Sequence, residues 1–249
     1  MRKYIIIGPI AFIAIWFVVT RLNIFDPLLL PDPFLTIKEA LIRLGDVTFL
    51  QDILSTLVRF TISISIAVIL GLPTGLLLGM TERIYRSVEF LIDFFRSIPA
   101  TALFPLFLLI FGITNKSKIL VSAFAAGLII IFNTAYGIMN ANKSRLLVTQ
   151  IMGATKMQIF RSVSFWESLP QTFIGLRSAI SLTLVIVIVT EMFIGTTSGL
   201  GRRIIDFQIV YEIPSMYATI IISGIIGYVL NLIFLVIEKK FVHWIGRGL

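Results

Sequence analysis

The sequence contains no cysteine, and its single histidine, His243, lies near the C-terminal end. Without cysteine the chain cannot form a disulfide, a thiolate metal site or a cysteine nucleophile. A membrane-embedded hydrolase or lipid-modifying enzyme needs a nucleophile with its base, or a metal cluster, and one terminal histidine supplies neither. We therefore expect no catalytic residue, no metal and no cofactor in this chain. His243 and Trp244 are typical of an anchor at the membrane interface.

Charged residues are also scarce, at 14% of the chain against 57% hydrophobic residues. A soluble domain needs more polar surface than this to cover its apolar residues. Apolar runs that can cross about 30 Å of hydrocarbon as helices, which takes about 20 residues each, occur six times. The sequence therefore predicts an all-α integral membrane protein in which residues 1–249 form one domain of six transmembrane helices, at roughly 4–20, 54–79, 97–113, 119–139, 172–195 and 215–237.

The charges are unequal in sign, with 21 lysines and arginines against 13 acids and a net charge of +8. If the N-terminus is cytoplasmic, nearly all of this excess falls on the inner segments, whereas the outer segments are balanced. This asymmetry is the positive-inside bias of membrane proteins. It predicts a multi-pass protein with both termini in the cytoplasm. The lipid bilayer explains the positive charge, so no nucleic-acid partner is needed.

Two features of the spans bear on helix packing. Gly71, Gly75 and Gly79 recur at four-residue intervals in the second span, so they share one helix face and let another backbone approach closely. The third span contains Pro99 and Pro105, which predict a bent or irregular segment.

A few polar residues are candidates for contact with a transported solute. Charges inside a span cost up to about 3 kcal/mol each at mid-helix, so those present often mark a pathway. The charged candidates are Arg59, Arg177 and Glu191, and Asn133 is a weaker uncharged one. Each charged residue also lies within about two turns of its span's end and has the alternative of extending to water. Arg202 and Arg203, in the predicted outer loop after Gly199, either meet acids of an external protein or face water and headgroups.

Two amphipathic segments outside the spans are predicted to be helices. In the first, which follows span one, Thr36 and Glu39 have capping-box spacing and Gly45 is a plausible stop. In the second, residues 82–96, charges recur at steps of three and four and indicate a helix at the cytoplasmic interface.

Residues 140–171 form the longest predicted cytoplasmic loop. Apolar residues at helical spacing flank Gly153: Leu146, Leu147, Ile151 and Met152 before it, and Met157, Phe160 and Val163 after it. The pattern predicts two short amphipathic helices joined at a glycine. Periodicity does not decide whether lipid headgroups, the protein's own spans or another protein cover their apolar faces.

Several stretches together resemble a known family. "GATKMQIFRSVSFWESLPQTFIGLRSAISL" followed by "TEMFIGTTSGLGRRI" is similar to the cytoplasmic loop and next span of binding-protein-dependent ABC importer permeases. The branch it resembles is that of nitrate, sulfonate, taurine and bicarbonate importers. "LLPDPFLTIKEAL", "LGLPTGLLLGM", "FFRSIPATALFPLFLLIFGITNKSKI" and "NTAYGI" extend the similarity over nearly the whole chain. The resemblance implies a type I importer permease fold in the bacterial cytoplasmic (inner) membrane.

In such permeases the loop carries Glu-Ala-Ala, then a glycine, then Ile-x-Leu-Pro, and forms a coupling helix that seats in the ATPase subunit. Here the glycine and its successor are Gly153 and Ala154, the triplet positions hold Leu147, Val148 and Thr149, and only Leu169-Pro170 follows the later motif. The resemblance therefore implies ATPase-coupling roles for Leu147, Thr149, Gly153, Ala154, Thr155, Met157 and Phe160.

The resemblance also implies partners: two ATPase subunits that bind ATP and Mg²⁺, a second permease copy or sister permease, and an external substrate-binding protein. The chain agrees, because it has no Gly-Lys-Ser or Gly-Lys-Thr of a phosphate-binding loop. The implied cargo is a small oxyanion, with a vitamin precursor such as a thiamine pyrimidine as the alternative. An ion-gradient-driven secondary transporter is the alternative of another class, but it predicts paired carboxylates or a proton relay in the membrane, whereas Glu191 stands alone.

Overall fold

The computed structural model describes residues 7–26, 28–193 and 195–242. The start of the predicted span 4–20 and the predicted anchor His243–Trp244 lie outside the described residues. All regular secondary structure in these ranges is helical, as predicted for the fold class. The α-helices are α1 (Ile7–Arg21), α2 (Pro33–Leu44), α3 (Val47–Gly79), α4 (Glu82–Ser97), α5 (Phe104–Phe111), α6 (Asn115–Met139), α7 (Lys143–Ile151), α8 (Lys156–Ile159), α9 (Phe165–Glu191), α10 (Leu200–Ile209) and α11 (Ile213–Phe241).

Four continuous helical segments of the described chain are long and apolar enough to cross a membrane: α3, α6, Lys156–Glu191 and α11. They contain the predicted spans 54–79, 119–139, 172–195 (to Glu191) and 215–237. The first predicted span corresponds to α1, an apolar helix of 15 residues.

The third predicted span, 97–113, differs from a straight crossing. A 3-10 helix, Ala100–Leu103, and the eight-residue α5 occupy it, and they leave the direction of α4 by 89°. Pro99 explains the break, because the residue before a proline is forced out of the helical region; Ile98 is extended, with ψ 126°. If this bent pair counts as one span, the described residues hold up to five.

The helix that contains the fifth predicted span begins before residue 172. Residues Lys156–Glu191 form one helical segment in which a π-helical turn, Phe160–Ser164, connects α8 to α9. The predicted start of the membrane-spanning part at 172 stays a prediction, and Pro170 lies inside α9 without ending the helix. Membrane helices tolerate such a proline when neighbouring groups and local π adjustments satisfy the freed carbonyls.

The chain forms two compact units. Unit 1 contains Met1–Thr56 and Glu191–Ile226, and its core is built from Phe49, Leu200, Phe207 and Ile222. Unit 2 contains Leu57–Thr190 and Gly227–Leu249, and its largest apolar cluster is Ala67, Ala126, Ile130, Phe173, Leu176 and Ala179. The single domain expected from the sequence stays a prediction.

Aspartate side chains accept backbone N–H groups at the N-terminal ends of α2 and α3. Asp32, not Thr36, caps α2: its Oδ1 accepts the Phe34 N–H at 2.8 Å, and Gly45 ends the helix. The predicted capping box was therefore misplaced by one helical turn, and Thr36 is buried inside the helix. Asp46 precedes α3 and accepts the Thr48 hydroxyl (2.9 Å) and N–H (2.8 Å), which lowers the pKa of its carboxyl group.

Candidate functional site

The segment from α7 to α8 (Lys143–Ile159), called here the α7–α8 segment, is a capped helix–turn–helix. Asn142 caps α7 by accepting the N–H groups of Ser144 (3.0 Å) and Arg145 (3.2 Å). Gly153 then turns the chain with φ +76°, a conformation that favours glycine, and the Ala154 N–H donates to the Thr149 carbonyl at 3.1 Å. The sequence-predicted helix–glycine–helix therefore has a defined turn.

The start of α8 is fixed by a reciprocal capping box. The Thr155 N–H donates to Gln158 Oε1 at 2.8 Å, and the Gln158 N–H donates to Thr155 Oγ1 at 3.4 Å. An ion pair between Arg145 and Glu167 connects α7 to α9. These bonds hold the turn without any contribution from its apolar side chains.

The apolar residues at this turn are exposed. Ile151 is 84% and Met152 79% accessible, and Leu147, Val148 and Met157 are each more than half exposed. Thr149, Ala154 and Phe160 are half-buried. The described parts of the protein's own spans therefore do not cover the apolar tip, which we define as Leu147, Val148, Ile151 and Met152.

The three glycines of α3 lie directly against α6. A Cβ added at Gly71 would lie 3.1 Å from Ile130 Cβ, one at Gly75 2.7 Å from Thr134 Cβ, and one at Gly79 2.9 Å from the Ala135 carbonyl oxygen. No side chain fits at these distances without displacement of α6. This is the geometry that a helix-packing role requires.

Within unit 2, the predicted pathway residues are each hydrogen-bonded to an amide. Arg59 is only 4% exposed, and its Nε donates to Asn115 Oδ1 at 2.9 Å. The exposed Arg177 donates from Nε to Asn231 Oδ1 at 3.0 Å. Asn133 accepts from Gln171 Nε2 at 2.9 Å, which ties α6 to α9. Arg59 is thus buried and not extended toward water.

Within unit 1, Glu191 belongs to a buried cluster that sequence reasoning did not identify. Its Oε2 accepts the Thr56 hydroxyl at 2.8 Å and the Gly201 N–H at 3.1 Å, and Thr56 Oγ1 in turn accepts the Leu200 N–H at 2.9 Å. Asp52 Oδ1 accepts the Gly199 N–H at 2.7 Å. Glu191 is fully buried and Asp52 is 7% exposed. We call Asp52, Thr56 and Glu191 the carboxylate cluster; it binds the N–H groups that begin α10, where negative charge is favourable.

Arg202 and Arg203 lie inside α10 and not in the loop that the sequence predicted. Gly199 precedes the helix with φ +121°, and helical structure begins at Leu200. Arg202 Nε contacts Asp206 Oδ2 at 2.9 Å. Arg203 pairs with Asp52 and donates to Thr48 Oγ1 at 3.0 Å. Both arginines therefore have acidic partners within unit 1.

A sequence profile described as a binding-protein-dependent transport system inner membrane component matches residues 67–245. The chain belongs to this family. The resemblance drawn from the sequence is thereby confirmed, including its function as a permease of the ABC importer class.

Relatives of this family member cover nearly its full length. The taurine transport system permease protein of Escherichia coli (strain K12) is 26% identical over 247 residues, 97% of this chain and 90% of that protein. The formylaminopyrimidine transport permease protein of Halalkalibacterium halodurans is 30% identical over 230 residues, 91% of each. A chain of the inward-facing MetNI methionine ABC transporter matches with a TM-score of 0.67 and 21% identity, covering 78% of this permease and 96% of that chain. The structural match shows the shared permease fold.

Proposed function

We propose that this permease is the non-catalytic membrane subunit of an ATP-driven importer in a bacterial cytoplasmic membrane, and that separate ATPase subunits grip its α7–α8 segment. The observation that carries the proposal is the exposed apolar tip, held on a turn that is capped at both helices. An apolar patch kept rigid in this way fits a protein partner, since ordered apolar surface is what protein interfaces bury.

Two ATPase subunits bind the ATP and Mg²⁺, and two permease copies, or this chain with a sister permease, frame one pathway. When the ATPases close on ATP, they draw the two α7–α8 segments together and switch the spans from inward-open to outward-open. An external binding protein then releases its solute into the pathway. The transporter has two states, inward-open and outward-open. Nucleotide shifts the equilibrium between them from the cytoplasmic side, and the loaded binding protein shifts it from the outside.

The topology that this mechanism needs has both termini in the cytoplasm, as the charge asymmetry predicts. The loop that carries α10 is then external, and α10 is a candidate surface for the binding protein, with Arg202 and Arg203 as candidate contacts. Since Arg202 and Arg203 each have an acidic partner in unit 1, such contacts require them to share their donors between two carboxylates.

The solute is a small molecule that carries an oxyanion group, such as nitrate, a sulfonate, taurine or bicarbonate. The taurine permease of Escherichia coli supports this class. The formylaminopyrimidine permease of Halalkalibacterium halodurans supports the alternative, a thiamine-type pyrimidine.

Two experiments test the proposal. Purification from the native host in mild detergent should recover an ATPase subunit and a binding protein with this chain, and the binding protein's ligand then identifies the solute. Proteoliposomes that contain the purified permease alone should not accumulate solute, whereas the reconstituted complex with ATP should. Accumulation by the permease alone, driven by an ion gradient, would show a secondary transporter instead.

A further inference from the structure

A cavity of about 680 Å³ opens at the break between α4 and α5 in unit 2. Because the chain leaves α4 at Ile98 and continues at 89°, no side chains of a straight helix fill this space. Residues from the bend line one side, and Phe124 and Leu128 of α6 with Leu182 of α9 line the other. The volume lies within the range of small-molecule sites, about 300–1,000 Å³.

Charge distinguishes this cavity from two others in the described residues. Those cavities, of about 340 and 320 Å³, are lined by uncharged side chains. The large cavity contains both a cation, Arg96, and a carboxylate, Asp93, together with Ser97 and the ring of Phe124. It therefore combines apolar walls with two groups of opposite charge, which is the composition of a site for a small polar solute.

Arg96 is oriented by its surroundings. Its guanidinium carbon lies 3.8 Å from the centre of the Phe132 ring, so the ring supports the guanidinium by a cation–π contact. Its Nη1 is 3.3 Å from Asp93 Oδ1, a long ion pair between side chains that are 33% and 57% exposed. Such an exposed pair is weak. Within the described residues this pair engages one of the five guanidinium N–H groups, so the others can donate to an oxyanion.

We infer that this cavity binds a zwitterionic solute, with its oxyanion group on Arg96 and its ammonium group on Asp93. A zwitterion replaces the weak pair with two charge-assisted contacts. A simple anion such as nitrate gains the contact with Arg96 but meets the negative charge of Asp93. The inference rests on the proposed function, because the cavity is then part of the transport pathway, and it narrows the solute from oxyanions in general to amino acids of the sulfonate type.

Site-specific labelling measures occupancy of the cavity directly. The chain has no cysteine, so Ser97→Cys introduces a single thiol at a residue that lines the cavity. The full chain in lipid nanodiscs is treated with a charged methanethiosulfonate, with taurine, ethanesulfonate or nitrate as the protecting probe. Taurine and ethanesulfonate share the sulfonate, but only taurine has the ammonium group. We expect taurine to protect at a concentration about tenfold lower than ethanesulfonate, the effect of one charged hydrogen bond.

Variants that remove one charge test whether the oxyanion group binds Arg96 and the ammonium group binds Asp93. In the Ser97→Cys background, Asp93→Asn should raise the half-protecting concentration of taurine about tenfold and leave that of ethanesulfonate unchanged or lower, whereas Arg96→Gln should weaken both by about tenfold or more. The matched controls are Glu82→Gln and Arg86→Gln, which remove an exposed ion pair on the same helix away from the cavity. They should not alter protection.

Three results would overturn the inference: no taurine protection at Ser97→Cys or at a second cavity reporter, Ala100→Cys; equal protection by taurine and ethanesulfonate; or equal effects of Asp93→Asn on both probes. These outcomes are independent of the proposed function. A complex that transports solute with ATP but shows no protection contradicts only the inference, whereas protection in a permease that accumulates solute without an ATPase contradicts only the proposed function.

Discussion

The carboxylate cluster of unit 1 and the apolar tip of unit 2 depart in opposite ways from the usual burial of residue types. The cluster buries Glu191 and Asp52, and the chain supplies the donors that satisfy them: the N–H groups of Gly199 and Gly201, the hydroxyl of Thr56 and the guanidinium of Arg203. The tip exposes Ile151 and Met152, and no described residue of unit 2 covers them.

The two regions therefore contribute differently to the stability of the free permease. A buried carboxylate with donors already in place stabilises the permease by itself, because removing it leaves those donors unpaired. An exposed apolar tip does not stabilise the free permease, and under the proposed function its contacts form only when the ATPase subunit binds. Variants in the first region should therefore affect folding, and variants in the second should affect assembly.

Removing the buried carboxylate should have the largest effect. Glu191→Ala leaves the buried Gly201 N–H without its acceptor, which costs about 1–3 kcal/mol of unfolding free energy. Thermal unfolding of the purified permease in detergent should show this as a lower midpoint, and Glu191→Gln, which keeps an acceptor oxygen, should lose less. Glu212→Ala is the control, because its ion pair with Arg43 is exposed and such pairs contribute little. If both glutamates gave the same shift, the cluster would have no special role in stability.

A charge at the apolar tip should give the second-largest effect, on assembly and not on folding. Met152→Asp should leave the unfolding midpoint of the free permease unchanged, because Met152 is 79% exposed. It should reduce the ATPase recovered by co-purification at least about tenfold, since a buried unpaired carboxylate is costly at an interface. Gln150→Asp, an exposed polar position on the same helix, is the control. Full ATPase recovery with Met152→Asp would place the docking surface elsewhere.

Gly153→Ala should have the smallest effect. A Cβ at Gly153 meets nothing within 4 Å, so the substitution causes no clash, but φ +76° costs an alanine roughly 1–2 kcal/mol. We expect a modest fall in solute-stimulated ATP turnover of the reconstituted complex, as the turn shifts to relieve this strain. Gly127→Ala is the control, because a Cβ at Gly127 also meets nothing within 4 Å. Gly127 lies inside α6, so this substitution should leave turnover unchanged. Equal turnover in both variants would mean that the conformation of the turn does not matter.

The sequence was sufficient to predict the long spans and the α7–α8 segment, because both depend on local patterns. Hydropathy predicted the apolar centres of α3, α6 and α11, but not their ends, since polar residues such as Thr48, Asp52 and Asn115 lie inside the helices. Thr155 and Gln158 have capping-box spacing, so the start of α8 also has a signal in the sequence.

The carboxylate cluster could not be predicted in the same way. Asp52 lies just before the apolar run of α3 and counts as an external charge by hydropathy. Its spacing to Thr56 puts both on one helix face, but the N–H groups they bind belong to Gly199 and Leu200, more than 140 residues later in the chain. A contact between a side chain and a distant backbone N–H leaves no pattern in a single sequence.

The glycine contacts between α3 and α6 have a consequence for motion in the transport cycle. Since an added methyl group at Gly75 would come within 2.7 Å of Thr134 Cβ, the two backbones are already at contact distance. Rotating either helix about its own axis would force a bulkier position into that gap. We therefore expect α3 and α6 to move together as a rigid body when the transporter changes state. The hinges for this motion then lie elsewhere along the chain.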